Sequence, residues 1–244
     1  MASIEPPKGI AKARYRQPAL GHLPSCPARG LICGPSGGGK GVLVHQMIMQ
    51  LYRGVFDHIH YWSASADLDP SLQPITKMCK EELGQDECLH NEFDENEITE
   101  IINKQRKMIT AARKRNDGEY LPQLLIVIDD FGDQENVARG KLLTSLFVRG
   151  RHMGISTWVL TQKLRLIGSA IRVNQTFMIC FRLRSFQDLA AVIEENSALV
   201  PQKTLRELYD AAVEQPYQFL YIDLQAKTLA ETFYRSFEAR LVVR

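Results

Sequence analysis

The chain has 244 residues, 45% of them hydrophobic and 24% charged, with a formal net charge of +2. That is enough chain for one large α/β domain with a real core, and the hydrophobic and charged fractions are ordinary for a soluble protein. No apolar run approaches the roughly 20 residues that span a membrane, and the near-neutral charge leaves any nucleic-acid contact to local patches.

Residues 1–27 are rich in proline, glycine and basic residues without a clean period, and read as an N-terminal arm on the surface or on a neighbouring subunit. The basic start has no apolar stretch after it, so it does not read as a secretory signal. A short apolar strand is predicted over 30–33 and a helix over about 39–51. Residues 58–62 read as a second strand, followed by a polar loop through Asp67, Asp69 and Pro70. The chain is then acidic from 81 to 100 and basic from 104 to 115. Isoleucines and Met108 at helical spacing predict one amphipathic helix over about 95–116, ended by Asn116-Asp117-Gly118. The apolar run 124–128 suits a strand covered on both faces, and 155–160 and 176–183 are further apolar runs that read as strands. Helices are predicted over about 136–148, 186–196 and 204–213, and a terminal hairpin over 218–223 and 229–233. Alternating strands and helices argue an α/β fold with a mostly parallel sheet flanked by helices.

Between the first strand and the first helix lies Gly34-Pro35-Ser36-Gly37-Gly38-Gly39-Lys40-Gly41. Strand, glycine loop and helix in that order make a phosphate-binding P-loop. Glycines let the backbone N–H groups turn inward on an anion, the helix N-terminus adds positive potential, and Lys40 reaches the β- and γ-phosphates. The motif normally ends in Ser or Thr, whose hydroxyl ligates Mg²⁺; here Gly41 stands in that place. Asp129 and Asp130 close the apolar run 124–128, where α/β proteins bind ligands. Paired with the P-loop they read as the acidic strand end of an ATPase, Asp129 serving Mg²⁺ through water and Asp130 activating the attacking water. Gln162 ends the next strand and is placed to sense the γ-phosphate. Arg149, Arg151 and Arg172 read as a loose basic set around it, one of them a candidate to cross to a neighbour's γ-phosphate.

Five cysteines at irregular spacing fit a reducing compartment, and Cys79, Cys88 and His90 lack the spacing of a zinc knuckle, so ordinary free thiols are the reading. His58 and His60 alternate along a strand and read as structural; Trp62 and Trp158 read as core. The densest basic cluster, Lys104, Arg106, Lys107, Arg113, Lys114 and Arg115, either tracks nucleic-acid phosphates or pairs with a neighbour's acidic stretch.

The stretch RGRHMGISTWVLTQ (149–162) followed by IRVN (171–174) resembles the signature of the FtsK–HerA superfamily of DNA-pumping P-loop ATPases. With GPSGGGKG, LLIVIDD, SFQDLAAVIEEN and YQFLYIDL, the chain is most similar to the genome-packaging ATPases of large eukaryotic DNA viruses, virophages and related elements. The resemblance covers about residues 28–235, leaving the arm 1–27 and a tail 236–244. It implies an ASCE-type fold with the Gln162 strand between the P-loop strand and the Asp129 strand. It also implies ATP and Mg²⁺ as cofactors, a homo-oligomeric ring around double-stranded DNA with Arg149 or Arg151 acting across the interface, and a capsid-vertex or portal partner. The expected setting is the host cytoplasm or viral factory. Two alternatives stay open: a nucleotide-binding assembly factor with little hydrolysis, motivated by Gly41, and a non-viral DNA transferase of the same superfamily.

Overall fold

The computed structural model describes residues 13–115, 118–129, 131 and 134–243. Asp130, the helix stop at 116–117, the first twelve residues of the arm and the last residue of the tail lie outside the described residues.

Among the described residues nine strands form one sheet: β1 Arg29–Cys33, β2 His58–Ser63, β3 Leu89–His90, β4 Leu124–Asp129, β5 Ile155–Thr161, β6 Phe177–Phe181, β7 Phe219–Asp223, β8 Phe233–Arg235 and β9 Ala239–Arg240. The order is β3-β2-β4-β5-β1-β6-β7-β8-β9. The first six strands in that order pair in parallel, and the last three join antiparallel. The sheet therefore continues past residue 235 into β9. β5 lies between β1 and β4, the order that the resemblance implied.

The continuous apolar runs are explained by helices on both faces. On one face α3 (Glu95–Arg115), α5 (Lys141–Arg149), α7 (Phe186–Asn196) and α8 (Gln202–Ala212) cover Leu31, Ile126, Ile128 and Met178. On the other, α1 (Lys40–Gln46), its π-helical extension Met47–Leu51, and α2 (Gln73–Leu83) cover Ile32, Val127, Leu160 and Ile179. Trp62 and Trp158 are fully buried on opposite faces, as expected of core residues. Residues 13–27 pack on the same body: Leu23 and Cys26 are buried with the α1 face, and the Tyr52 hydroxyl donates to Pro24 O at 2.8 Å.

Several elements differ from the sequence expectation. The helix over 136–148 is two, α4 (Glu135–Ala138) and α5, because Gly140 is extended (φ −65°, ψ 153°) and a methyl there would meet Asn136 O at 2.3 Å. The second strand of the predicted hairpin, β8, begins at Phe233, not 229; residues 229–231 form a 3-10 turn, and the buried aromatics Phe233 and Tyr234 take the ladder. The strand over 176–183 stops at Phe181. Four helices and strands lie outside what the sequence pattern predicts: α2, β3, the short α6 (Ser169–Val173) and β9.

Candidate nucleotide site

The P-loop leaves the carboxyl end of β1 and is tied to its neighbour strand, with Gly34 N donating to Thr161 O at 3.1 Å. Gly37 and Gly39 sit at φ 71° and 99°, left-handed values that glycine adopts without strain. Gly39 precedes α1, whose first turn holds Lys40 and Gly41. Lys40 is 7% exposed, and its Nζ donates to Gly34 O at 2.9 Å and Pro35 O at 3.2 Å. The ammonium is thus folded onto the loop's own carbonyls. Gly41 is different from its neighbours. It is helical, and a Cβ there would meet nothing within 4 Å.

A cleft of about 670 Å³ opens over this loop. Asp129 lines it from the end of β4, and its Oδ2 accepts a hydrogen bond from the Tyr61 hydroxyl at 2.8 Å. Ser65, Asp69 and Ser71, from the loop after β2, supply further oxygens to the cleft wall. The sequence marks that loop as polar, with Asp69 in it, but gives it no role. Its nearness to the P-loop follows from β2 pairing with β4, where Ser63 lies opposite Asp129. The donor set fits a hydrated Mg²⁺, which takes a carboxylate and keeps several waters. It also fits polyphosphate, by way of the loop and the buried lysine.

Gln162 follows β5 directly, exposed at the same sheet edge, with its carbonyl 4.0 Å from Cys33 Sγ. Phosphate loop, acidic strand end and Gln162 are therefore brought to one edge.

The arginines are not gathered around Gln162. Arg149 ends α5 and Arg151 lies in the 3-10 turn Gly150–Met153, both exposed and both at the amino end of β5. Seven residues of strand separate them from Gln162, about 23 Å at about 3.3 Å per residue. Arg172 is committed elsewhere: it donates to Glu195 Oε2 at 2.9 Å and to Ile167 O at 2.7 Å. At the same far edge Arg29 is 8% exposed and donates to Phe147 O at 2.8 Å; burial and the nearby Arg151 charge lower its pKa.

The cysteines and histidines go to structure. Cys79 and Cys88 face each other as free thiols, the hydrogen bond between them raising the first and lowering the second. His90 turns from them to Glu97, 2.9 Å from Nδ1, and to His60, 2.9 Å from Nε2. Among the described residues no helix is long and apolar enough to cross a membrane.

Fold and site define a P-loop ATPase of the ASCE type, in the FtsK–HerA class that contains viral genome-packaging ATPases. The chain belongs to the Poxvirus A32 protein family, which matches residues 20–218. Among solved structures, the DNA-packaging ATPase B204 from Sulfolobus turreted icosahedral virus aligns with a TM-score of 0.56 at 12% identity, covering 83% of this chain and 95% of that one. The genome packaging NTPase B204 from Sulfolobus turreted icosahedral virus 2, in complex with ATP-gammaS, aligns at 0.52 and 12%, covering 83% and 95%. The pCW3 conjugation coupling protein TcpA aligns at 0.57 and 16%, covering 86% of this chain and 60% of that one. At these identities the likeness is one of fold. No curated protein matches the chain.

Proposed function

We propose that the protein is a viral genome-packaging ATPase, a motor that uses ATP and Mg²⁺ to move double-stranded DNA into a capsid. The observation that carries this reading is the division of the sheet edges. Lys40, Asp129 and Gln162 share the carboxyl edge, while Arg149 and Arg151 are exposed on the opposite edge, out of reach of their own subunit's site. A site so arranged gains an arginine from a neighbour, as in a ring of identical subunits. Family membership, and relatives that are themselves described as packaging ATPases, support the same reading.

In this proposal residues 34–41 cradle the phosphates and Lys40 trades its two loop carbonyls for β- and γ-phosphate oxygens. Asp129 holds the Mg²⁺ shell, which neutralises phosphate charge when bound. Asp130, next in sequence, activates water, Gln162 senses the γ-phosphate, and Arg149 or Arg151 stabilises the transition-state charge in trans. The working ATPase unit is 28–235, with 1–27 as an arm whose described part, 13–27, packs on it, and 236–244 as a tail that adds β9 to its sheet. A capsid-vertex or portal protein is the docking partner, and the host cytoplasm or viral factory is the site of action.

The DNA path is proposed along α3. Asn103, Arg106, Lys107, Thr110, Ala111 and Lys114 form one outward stripe lining a shallow groove of about 560 Å³. Lys104 leaves that stripe and lines a separate pocket with His58 and His60. A stripe of this kind grips phosphates and reads little sequence.

Gly41 favours a second reading, a nucleotide-binding assembly factor of low turnover, because the Mg²⁺ hydroxyl of the usual motif is missing. Steady-state ATP hydrolysis with and without long duplex DNA separates the two. Strong stimulation by DNA is the expected result; ATP binding without turnover, with or without DNA, overturns the motor in favour of the assembly factor.

A further inference from the structure

The turn before β7 breaks a local rule beside the P-loop. Residues 215–218 form a β-turn closed by Gln218 N donating to Gln215 O at 3.3 Å, with Pro216 second and Tyr217 third. Tyr217 sits at φ 64°. Proline followed by a residue of positive φ is the pattern of a type II turn, whose third position is normally glycine or asparagine. A tyrosine there costs stability, and residues held in such conformations cluster at functional sites. The ring is not buried in return: Tyr217 is 73% exposed.

What the strained backbone does achieve is placement. The ring lies against the P-loop, so that a methyl on Gly39 would meet Tyr217 Cδ1 at 3.2 Å. The turn is held from the strand next to the P-loop strand: Arg182, just after β6, donates through Nε to Val213 O at 2.9 Å and through Nη2 to Glu214 O at 2.8 Å. Tyr217 also gives the phosphate cleft an aromatic wall, with Phe181 and Phe219 buried behind it. The cleft thus has a polar side, with the loop amides, Lys40 and Asp129, and an apolar side topped by one exposed ring.

We propose that Tyr217 is the platform on which the base of the bound nucleoside triphosphate stacks. This rests on the reading of residues 34–41 as the phosphate site and adds the base subsite to it. Stacking on an aromatic face accepts any base, since every base has a π-face, and it uses the ring and not the hydroxyl. A phosphate-only ligand does not touch it.

The test compares ATP with inorganic tripolyphosphate by calorimetric titration in the presence of Mg²⁺. Tyr217→Ala and Tyr217→Gly should weaken ATP about ten- to a hundredfold and leave tripolyphosphate within about twofold; Tyr217→Phe should bind both within about twofold of wild type. Tyr217→Gly should also melt above wild type, because glycine relieves the positive φ, which separates a stacking defect from a folding defect. ATP affinity in Tyr217→Gly within about twofold of wild type, or equal losses for ATP and tripolyphosphate, overturns the inference while the phosphate site stands. Wild-type protein that binds neither ligand overturns the phosphate site, and the base platform with it.

Discussion

Arg151 and Gln162 stand at opposite ends of one strand, β5, with the arginine before its first residue and the glutamine after its last. In sequence they belong to one block; in space they face different edges of the sheet. The same subunit cannot bring both to one phosphate without unravelling the strand. Arg151→Ala should therefore leave ATP binding nearly intact and cut hydrolysis by about 10³–10⁵, the usual worth of an arginine acting in trans. Lys40→Ala should do the reverse and abolish tight binding, since the buried ammonium is the cation seated in the loop. Mixing the two variants should restore part of the activity, because a mixed interface joins an intact loop to an intact arginine. If Arg151→Ala and Arg149→Ala both turn over at the wild-type rate, the trans arrangement fails.

The strands are the most legible part of the chain. Leu124-Leu125-Ile126-Val127-Ile128 leaves no polar face, so a doubly covered strand is its natural home, and β4 is that strand. The P-loop is legible because its glycine pattern answers a backbone requirement, met at Gly37 and Gly39. Helix α2 carries signals of its own: Asp69 accepting from Ser71 N, prolines at 70 and 74, and Ile75, Met78 and Cys79 on one face. They are obscured by the charged run that begins at its end. The arginine placement is not legible, because nearness in sequence says nothing about which end of a buried strand a residue occupies. Tyr217 escapes for a different reason. Pro216-Tyr217 looks like an ordinary loop until the positive φ is seen.

The α3 stripe makes a charge prediction that the sequence alone places less well. Neutralising Arg106, Lys107 and Lys114 together should weaken duplex binding and reduce the slope of log affinity against log salt by roughly 0.9 for each DNA phosphate that is no longer neutralised. Neutralising Lys104 should change the slope far less, because it lies on the flank that faces His58 and His60. Filter binding across a salt series reads both. A triple variant with the wild-type slope moves the DNA path off this helix.

His60 gives the fold an acid sensitivity. It lies 2.9 Å from His90 and 3.4 Å from the Gln85 amide. Burial, helped by the charges of His90, His58 and Lys104, pushes its pKa down to about 3 from the ordinary 6.5. Above pH 6.5 neither state takes up a proton there, so the group has no effect. As the pH falls below that, the unfolded chain binds a proton that the folded chain refuses, and stability drops until the folded pKa is reached. The limiting slope for one such group is about 1.4 kcal/mol per pH unit. Urea midpoints measured from pH 7 to pH 4 should fall, and His60→Asn should fall less steeply. Parallel lines for the two proteins would remove His60 as the cause.

Gly41 decides between the motor and the low-turnover reading. The backbone there is helical, and a Cβ would meet nothing within 4 Å, so a side chain can be added without displacing the loop. Gly39 is the contrast: at φ 99° and under the Tyr217 ring it admits no other residue without strain. Gly41→Thr should therefore fold at least as well as the natural chain, gaining a few tenths of a kcal/mol from lower unfolded-state entropy and better helix propensity, about the usual size of that effect. Its hydroxyl would stand where the common form of the motif presents an oxygen to Mg²⁺. Faster hydrolysis and half-maximal rate at lower Mg²⁺ are the expected results, read from steady-state turnover across a Mg²⁺ titration. The alternative outcome is brisk turnover in the natural protein with no change in rate or metal dependence on substitution. Water or another cleft oxygen, such as the hydroxyl of Ser65 or Ser71, then does the work of the missing ligand, and the low-turnover reading loses the one feature that motivates it.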